Sequence, residues 1–231
     1  MREIVLDTET TGFDPLTGDR LAEIGCIELE NHIPTGRNFH RYINPEREMP
    51  DAAFRIHGLS TAFLADKPKF AALADDFLAF IGEDPLVIHN AEFDMKFINF
   101  ELEKAGKRAI PFQRAIDTVK MARTKFPGSP ASLDALCKRF NIDNSNRTLH
   151  GALLDAQLLA DVYLELLGGR QTGLTLASED AGTADMNFAK RSTTAAGNRQ
   201  VRPARPNAPT EEELAAHAAF IAKLKDPVWL Q

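Results

Sequence analysis

The apolar residues of this chain change their period partway along it, and that change limits the available folds more than any other feature. EIVLD (3–7), RLAEIGCIELEN (20–31) and FHRYINP (39–45) are β-rich, the last two alternating apolar with polar side chains, and predict three strands joined by turns, an antiparallel meander. FAALADDFLAFIG (70–82) then has apolar residues at helical spacing, LVIHN (86–90) is a short buried-type strand, and AEFDMKFINFELEKAG (91–106) is helical with a glycine stop. A strand near 115–117, short helices over 118–126 and 132–140, and a longer helix from about Gly151 to Leu167 complete the pattern. A meander followed by alternating units predicts an α/β fold with one mixed sheet, three antiparallel strands and then parallel β/α units, flanked by helices.

With 231 residues and 44% hydrophobic content the chain suffices for one full core and an appendage. Its net charge of −6 argues against a protein that coats nucleic acid electrostatically, so a polyanionic substrate must be gripped locally. Residues 1–168 hold 19 basic and 26 acidic side chains, whereas 186–208 hold five basic ones and no acid. There is no run suited to a signal peptide near Met1 and none of the roughly 20 apolar residues of a membrane span, which predicts a cytoplasmic protein. Cys26 and Cys137 match neither a CxxC nor a disulfide framework and are expected as buried thiols.

Two residues apart on one strand, Asp7 and Glu9 present carboxylates to the same face at about 6 to 7 Å. Two further acids occupy comparable places: Asp94 in HNAEFD (89–94), in the first turn of a helix that follows a strand, and Asp155 early in the helix of HGALLDA (150–156). Each has an ordinary structural explanation by itself. Asp7 could form a turn, Glu9 could be a solvated edge residue, Asp94 could favour the helix dipole, and His150 could be a capping residue. His150 and Asp155 are five apart, about 140° around an ideal helix, so spacing alone does not give them one face. Several acids at strand ends and helix starts of one sheet nevertheless coincide with the place where α/β folds bind ligands. Hard oxygen donors in this number suit Mg²⁺ or Mn²⁺, and two such ions about 4 Å apart is an arrangement that cleaves phosphodiesters. A neutral imidazole nearby could take a proton from the attacking water.

DTETTG (7–12), HNAEFD (89–94) and HGALLDA (150–156), in this order, resemble the three motifs of the DEDDh 3′–5′ exonuclease family, which has a ribonuclease H-like fold. FRIHGL (54–59), FPGSPASLDALCKRF (126–140) and RTLHGALLDAQLLADVYLELLGG (147–169) are similar to a branch of that family, the proofreading epsilon subunits of bacterial DNA polymerase III. The resemblance implies an exodeoxyribonuclease in which Asp7, Glu9, Asp94 and Asp155 bind two ions and His150 is the general base. It also implies that Asp7, Glu9, Thr10, His57, Asn90 and Asp155 lie near the 3′-terminal nucleotide of DNA. The family can carry a Glu five positions before the His of the HG motif; here that position is Ala52, with Asp51 beside it. An exoribonuclease of the same superfamily, or a non-catalytic subunit that stabilises a polymerase, are the alternative readings.

The composition changes near residue 170, and the expected organisation is an exonuclease domain over 1–169, a clamp-binding peptide over 170–176, a flexible linker over 177–209, and a C-terminal helix and tail over 210–231. Gln171, Leu174 and Leu176 resemble the short peptide that docks on the bacterial sliding clamp. In TEEELAAHAAFIAKL (210–224), Thr210 and Glu213 form a capping box, and Leu214, His217, Ala218, Ile221 and Leu224 make an apolar stripe. With Trp229, that segment resembles the one through which such subunits attach to the polymerase catalytic (alpha) subunit, and a small accessory subunit is a further expected partner.

Overall fold

The computed structural model describes residues 1–145, 149–169 and 210–223. The chain divides into two units, Met1–Leu176 and Ala177–Gln231. In the first, a five-stranded sheet is built from β1 (Arg2–Thr10), β2 (Leu21–Glu30), β3 (Ile33–Tyr42), β4 (Leu86–Ile88) and β5 (Ala115–Asp117), in the order β3-β2-β1-β4-β5. β1 runs antiparallel to β2, and β2 to β3; β4 is parallel to both β1 and β5. The meander and the parallel units thus meet at β1, and the sheet is the mixed one expected. Asn31 and His32, both with φ in the left-handed region (51° and 66°), close the β2–β3 hairpin, whose twist calls for that conformation.

Between β3 and β4 come α1 (Asp51–His57), α2 (Thr61–Leu64) and α3 (Phe70–Ile81); α4 (Ala91–Lys104) follows β4, and α5 (Thr118–Lys125), α6 (Leu133–Phe140) and α7 (Ala152–Leu166) follow β5. Alternation along β1 sends Ile4 and Leu6 into an apolar cluster with α3 and α4, and Val5 into a second cluster with α5, α6 and α7. Cys26 and Cys137 are buried free thiols, one in each cluster. Burial, with the Asp7 charge as a smaller influence, pushes the Cys26 thiol well above its ordinary value.

Two structural differences from the sequence expectation stand out. β3 begins at Ile33 rather than at 39, because an exposed edge strand tolerates Pro34 and Gly36, which read as turn residues. α1 and α2 were not expected, being too short to show a period, though Pro50 at the N-cap, Gly58 in the left-handed conformation and the Ser60 cap bracket them.

In the second unit, α8 (Glu211–Ile221) carries the expected capping box, with Thr210 accepting from the Glu213 N–H and Glu213 accepting from the Thr210 N–H. Leu214 and Phe220 are exposed on it and Ile221 is half-buried. Gln171, Leu174, Leu176, the linker expected over 177–209, Leu224 and Trp229 lie outside the described residues. No helix among the described residues is long and apolar enough to cross a membrane.

Candidate active site

β1 continues past the expected EIVLD run to Thr10, which places both Asp7 and Glu9 in paired strand. Asp7 stands opposite Gly25 and Glu9 opposite Glu23 on β2, on the face covered by α7. A Cβ on Gly25 would lie 2.5 Å from the Ala152 carbonyl carbon and the Leu153 nitrogen, so the missing side chain is what lets the first turn of α7 rest against the sheet. That close approach brings Asp155, buried on α7, to the carboxyl end of β1.

Asp94 arrives from the other face. The β4 strand ends at Ile88 and α4 begins at Ala91, and Asn90 makes the short connection in the left-handed region (φ 67°, ψ 58°), which asparagine tolerates. Thr8, pointing to the α4 side, donates its hydroxyl to Asp94 Oδ1 at 2.7 Å. Burial pushes the Asp94 carboxyl up to about 7; the Thr8 hydroxyl and the Asp94 and Thr8 backbone amides oppose this more weakly, and the Asp117 charge adds to it.

His150 lies just before α7 rather than on it, so the angular separation expected on a helix does not apply. Its backbone N–H donates to Ile56 O at 3.1 Å, tying this segment to α1, and its Nδ1 is 3.2 Å from Asp155 Oδ2. A Cβ on Gly58 would lie 2.7 Å from Leu149 Cδ1, which explains the glycine of the HG pair: it gives α1 its left-handed C-cap and admits Leu149. Potential ligand atoms of Glu9, His150 and Asp155 all lie within 4.8 Å of one another. Asp7, Glu9, Asp94, His150 and Asp155 line one cavity of about 270 Å³.

Two spaces adjoin this cavity. One is an apolar pocket of about 210 Å³ formed by Phe13, Ile56, Phe93 and the start of α1, with Thr10 and His57 among its polar lining. His57 Nδ1 accepts from the Leu59 N–H at 3.1 Å, which puts the ring proton on Nε2, a buried atom that meets no partner at hydrogen-bonding geometry among the described residues. Desolvation holds the imidazole below its ordinary pKa, with the Thr10 backbone and Glu23 opposing more weakly, so this proton belongs to a neutral ring. Ala52 lines the pocket, while Asp51 is exposed and is not among its lining residues. The other space is a polar groove of about 570 Å³ lined by Asn90, which is not among the residues lining the central cavity.

Three contributors went unassigned in the sequence reading: Thr8 as the Asp94 donor, Gly25 as the seat of α7, and His89, whose Nδ1 is 2.9 Å from Thr118 Oγ1 and which lines the central cavity. His89 stands in the quoted HNAEFD motif, so a signal for it was present. The donor set fits a divalent cation bound by hard ligands: five carboxylates, Asp134 among them, and the imidazoles of His89 and His150 line the cavity, and both thiols are buried outside it. A buried carboxylate that resists ionisation, as Asp94 does, is the electrostatic environment that a cation relieves.

A family model described as Exonuclease matches residues 4–163. Among curated proteins, the chain is 52% identical over 227 residues to the DNA polymerase III subunit epsilon of Rickettsia felis, covering 97% of each chain. It is 46% identical to the protein of the same name from Escherichia coli K12, covering 94% of this chain and 91% of that one. Among solved structures, exonuclease X in complex with 5′ overhanging duplex DNA matches at 25% identity and a TM-score of 0.57, over 71% of this chain and 90% of that one. The mixed sheet and its helices are accordingly the ribonuclease H-like fold of exonucleases.

Proposed function

Because this chain belongs to the exonuclease family, we propose that its acid-lined cavity hydrolyses the terminal phosphodiester of a DNA 3′ end, and that the protein proofreads for a replicative DNA polymerase. The observation that carries this reading is the approach of Glu9, His150 and Asp155 within 4.8 Å beside an apolar pocket lined by His57, whose Nε2 is buried. Asp7, Glu9, Asp94 and Asp155 would hold two divalent ions, Mg²⁺ or Mn²⁺, which supply positive charge for the attacking water and for the departing 3′ oxygen.

The protein's own groups do the rest. Asp155 engages Nδ1 of His150 and sets the ring so that Nε2 takes the proton of the attacking water. The water oxygen bonds to phosphorus, the bond to the penultimate nucleotide's 3′ oxygen breaks, that oxygen gains a proton from solvent, and a 5′-mononucleotide leaves. The Nε2–H of His57 donates to an oxygen of the terminal nucleotide, while Phe13, Ile56 and Phe93 take its base and sugar. Thr10 contributes through position, since its hydroxyl already donates to Gly12 O at 2.6 Å. Ala52 leaves the pocket without the carboxylate that family members can place there, and Asp51 does not replace it.

The finer partners belong to the same reading: α8 with Leu214 and Ile221, and beyond it Leu224 and Trp229, for the alpha subunit; Gln171, Leu174 and Leu176 for the sliding clamp; and a small accessory subunit, all in the cytoplasm. Tethering of this kind lets a net-negative nuclease work at a primer end without an attracting field of its own. The test is release of mononucleotides from a 3′-labelled DNA oligonucleotide with Mg²⁺, with and without EDTA, for wild type and His150→Ala. Release that needs both metal and His150 is expected; release that survives EDTA would end the two-ion reading, and release undiminished in His150→Ala would end the general-base role. Deletion of 177–231 should leave that release nearly unchanged while abolishing co-purification with the polymerase catalytic subunit.

A further inference from the structure

The polar groove that adjoins the acid-lined cavity has no part in the mechanism above. We propose that it carries the substrate strand on the 5′ side of the scissile bond, with Lys120 and Arg123 against the phosphates immediately upstream. This rests on the exonuclease reading of the central cavity and specifies how the rest of the strand is held.

The three spaces adjoin in series. Thr8, Glu9 and Phe93 border both the apolar pocket and the central cavity, and His89 and Ser132 border both the central cavity and the groove. A strand whose last nucleoside fills the pocket and whose last phosphodiester lies among the acids therefore continues into the groove. Two cations of α5 line it three residues apart, on one face of the helix. The Lys120 side chain is 70% exposed and reaches Asp117 only at 3.8 Å, and Arg123 is exposed. Asp117 is committed to α5, where its Oδ1 accepts from the Val119 N–H at 2.9 Å, and Glu92 stands exposed at the rim.

The groove thus holds two cations and two carboxylates and is not strongly electropositive. Such a grip is sequence-independent, since it engages phosphate and not bases, and it is weak enough for a strand that must advance one nucleotide after each cut. It also agrees with the excess of acids over residues 1–168, which gives the domain no general attraction for a polyanion.

The experiment compares two substrates in the full chain: a single-stranded DNA oligonucleotide, and p-nitrophenyl thymidine 5′-monophosphate, which has no upstream nucleotide. For Lys120→Ala/Arg123→Ala the ratio of kcat/KM on the oligonucleotide to that on the ester should fall roughly tenfold, carried by KM. The slope of log kcat/KM against log salt for the oligonucleotide should flatten by about 1.4, the value for two contacts on a single strand. An unchanged ratio and slope would overturn the proposal, and so would an equal fall on both substrates, which would mark a structural effect on the cavity. Failure of wild type on both substrates would instead overturn the exonuclease reading on which the proposal stands.

Discussion

In metal-free protein, ionised Asp94 should weaken the fold, and Asp94→Asn should relieve it in a pH-dependent way. Its carboxyl rises from an ordinary 3.8 to about 7 mainly through burial, so the native state holds the proton more tightly than the unfolded chain does. Between those two values the unfolded state binds fewer protons, and stability falls as pH rises; above 7 both states are ionised and the loss is constant. At about 1.4 kcal/mol per pH unit the full effect is at most about 4 kcal/mol, of which roughly 2 to 3 kcal/mol develops between pH 5 and pH 8. Asparagine keeps the size of the side chain and an oxygen to accept from Thr8, and removes the charge. The assay is urea unfolding in EDTA across that pH range, followed by far-UV circular dichroism, for both proteins. The stability of Asp94→Asn relative to wild type should climb by roughly 2 to 3 kcal/mol from pH 5 to pH 8. With Mg²⁺ or Mn²⁺ added at pH 8, wild type should recover about 2.7 kcal/mol at a hundredfold excess over Kd, and the variant far less. A relative stability that is flat with pH, or a variant less stable than wild type at pH 8 in EDTA, would refute the reasoning that links the burial of this acid to a cation.

Gly25→Ala should displace the first turn of α7, lowering stability by about 1 to 3 kcal/mol and mononucleotide release by a larger factor, because Asp155 and His150 move with that turn. Full single-turnover activity in a folded Gly25→Ala protein would contradict this role. Tyr163→Phe should cost about 1 to 3 kcal/mol in thermal or urea unfolding near pH 7 without changing kcat, since the phenol donates at 2.7 Å to buried Glu3, whose other oxygen lies 2.7 Å from His32 Nδ1. Thr8→Val should leave Asp94 without its Thr8 hydroxyl donor, raise its pKa further, and extend the stability loss to higher pH in the unfolding assay above.

Most of the fold was readable from sequence through its longer periodic segments, and the short strands through apolar runs between them. The strands over 86–88 and 115–117 and the helices starting at 70, 91, 118, 133 and 152 follow the apolar spacing closely. The seven-residue helix ending at His57 could not show a period, although it supplies a wall of the pocket and the Ile56 carbonyl that holds His150. The acids were visible because a strand with carboxylates at 7 and 9 breaks the pattern of a buried sheet. Gly25 and Thr8 were not, because their roles depend on which element crosses the sheet above them, and a cross-strand register is absent from a linear chain. The His150 contact to Asp155 was obscured for a related reason: helical geometry was applied to a residue that precedes the helix.

The position of β1 explains why acids so far apart in sequence converge. With the order β3-β2-β1-β4-β5, the meander extends to one side of β1 and the parallel units to the other, so the chain reverses its direction of growth at that strand. Open α/β sheets bind ligands at such a point, beyond the carboxyl ends of parallel strands. Here the carboxyl end of β1 contributes Asp7 and Glu9, the helix after β4 delivers Asp94 from one face, and α7 delivers Asp155 from the other. Side chains from both faces can meet only past the last paired residues, where the sheet no longer separates them; for β1 and β4 that pairing stops at Leu6 and Ile88. Collecting carboxylates there is costly, and the apolar clusters on both faces of the sheet offset that cost. The same topology that places the acids leaves the apolar pocket on the α1 side and the groove on the α5 side, so a strand passing from one to the other must cross them.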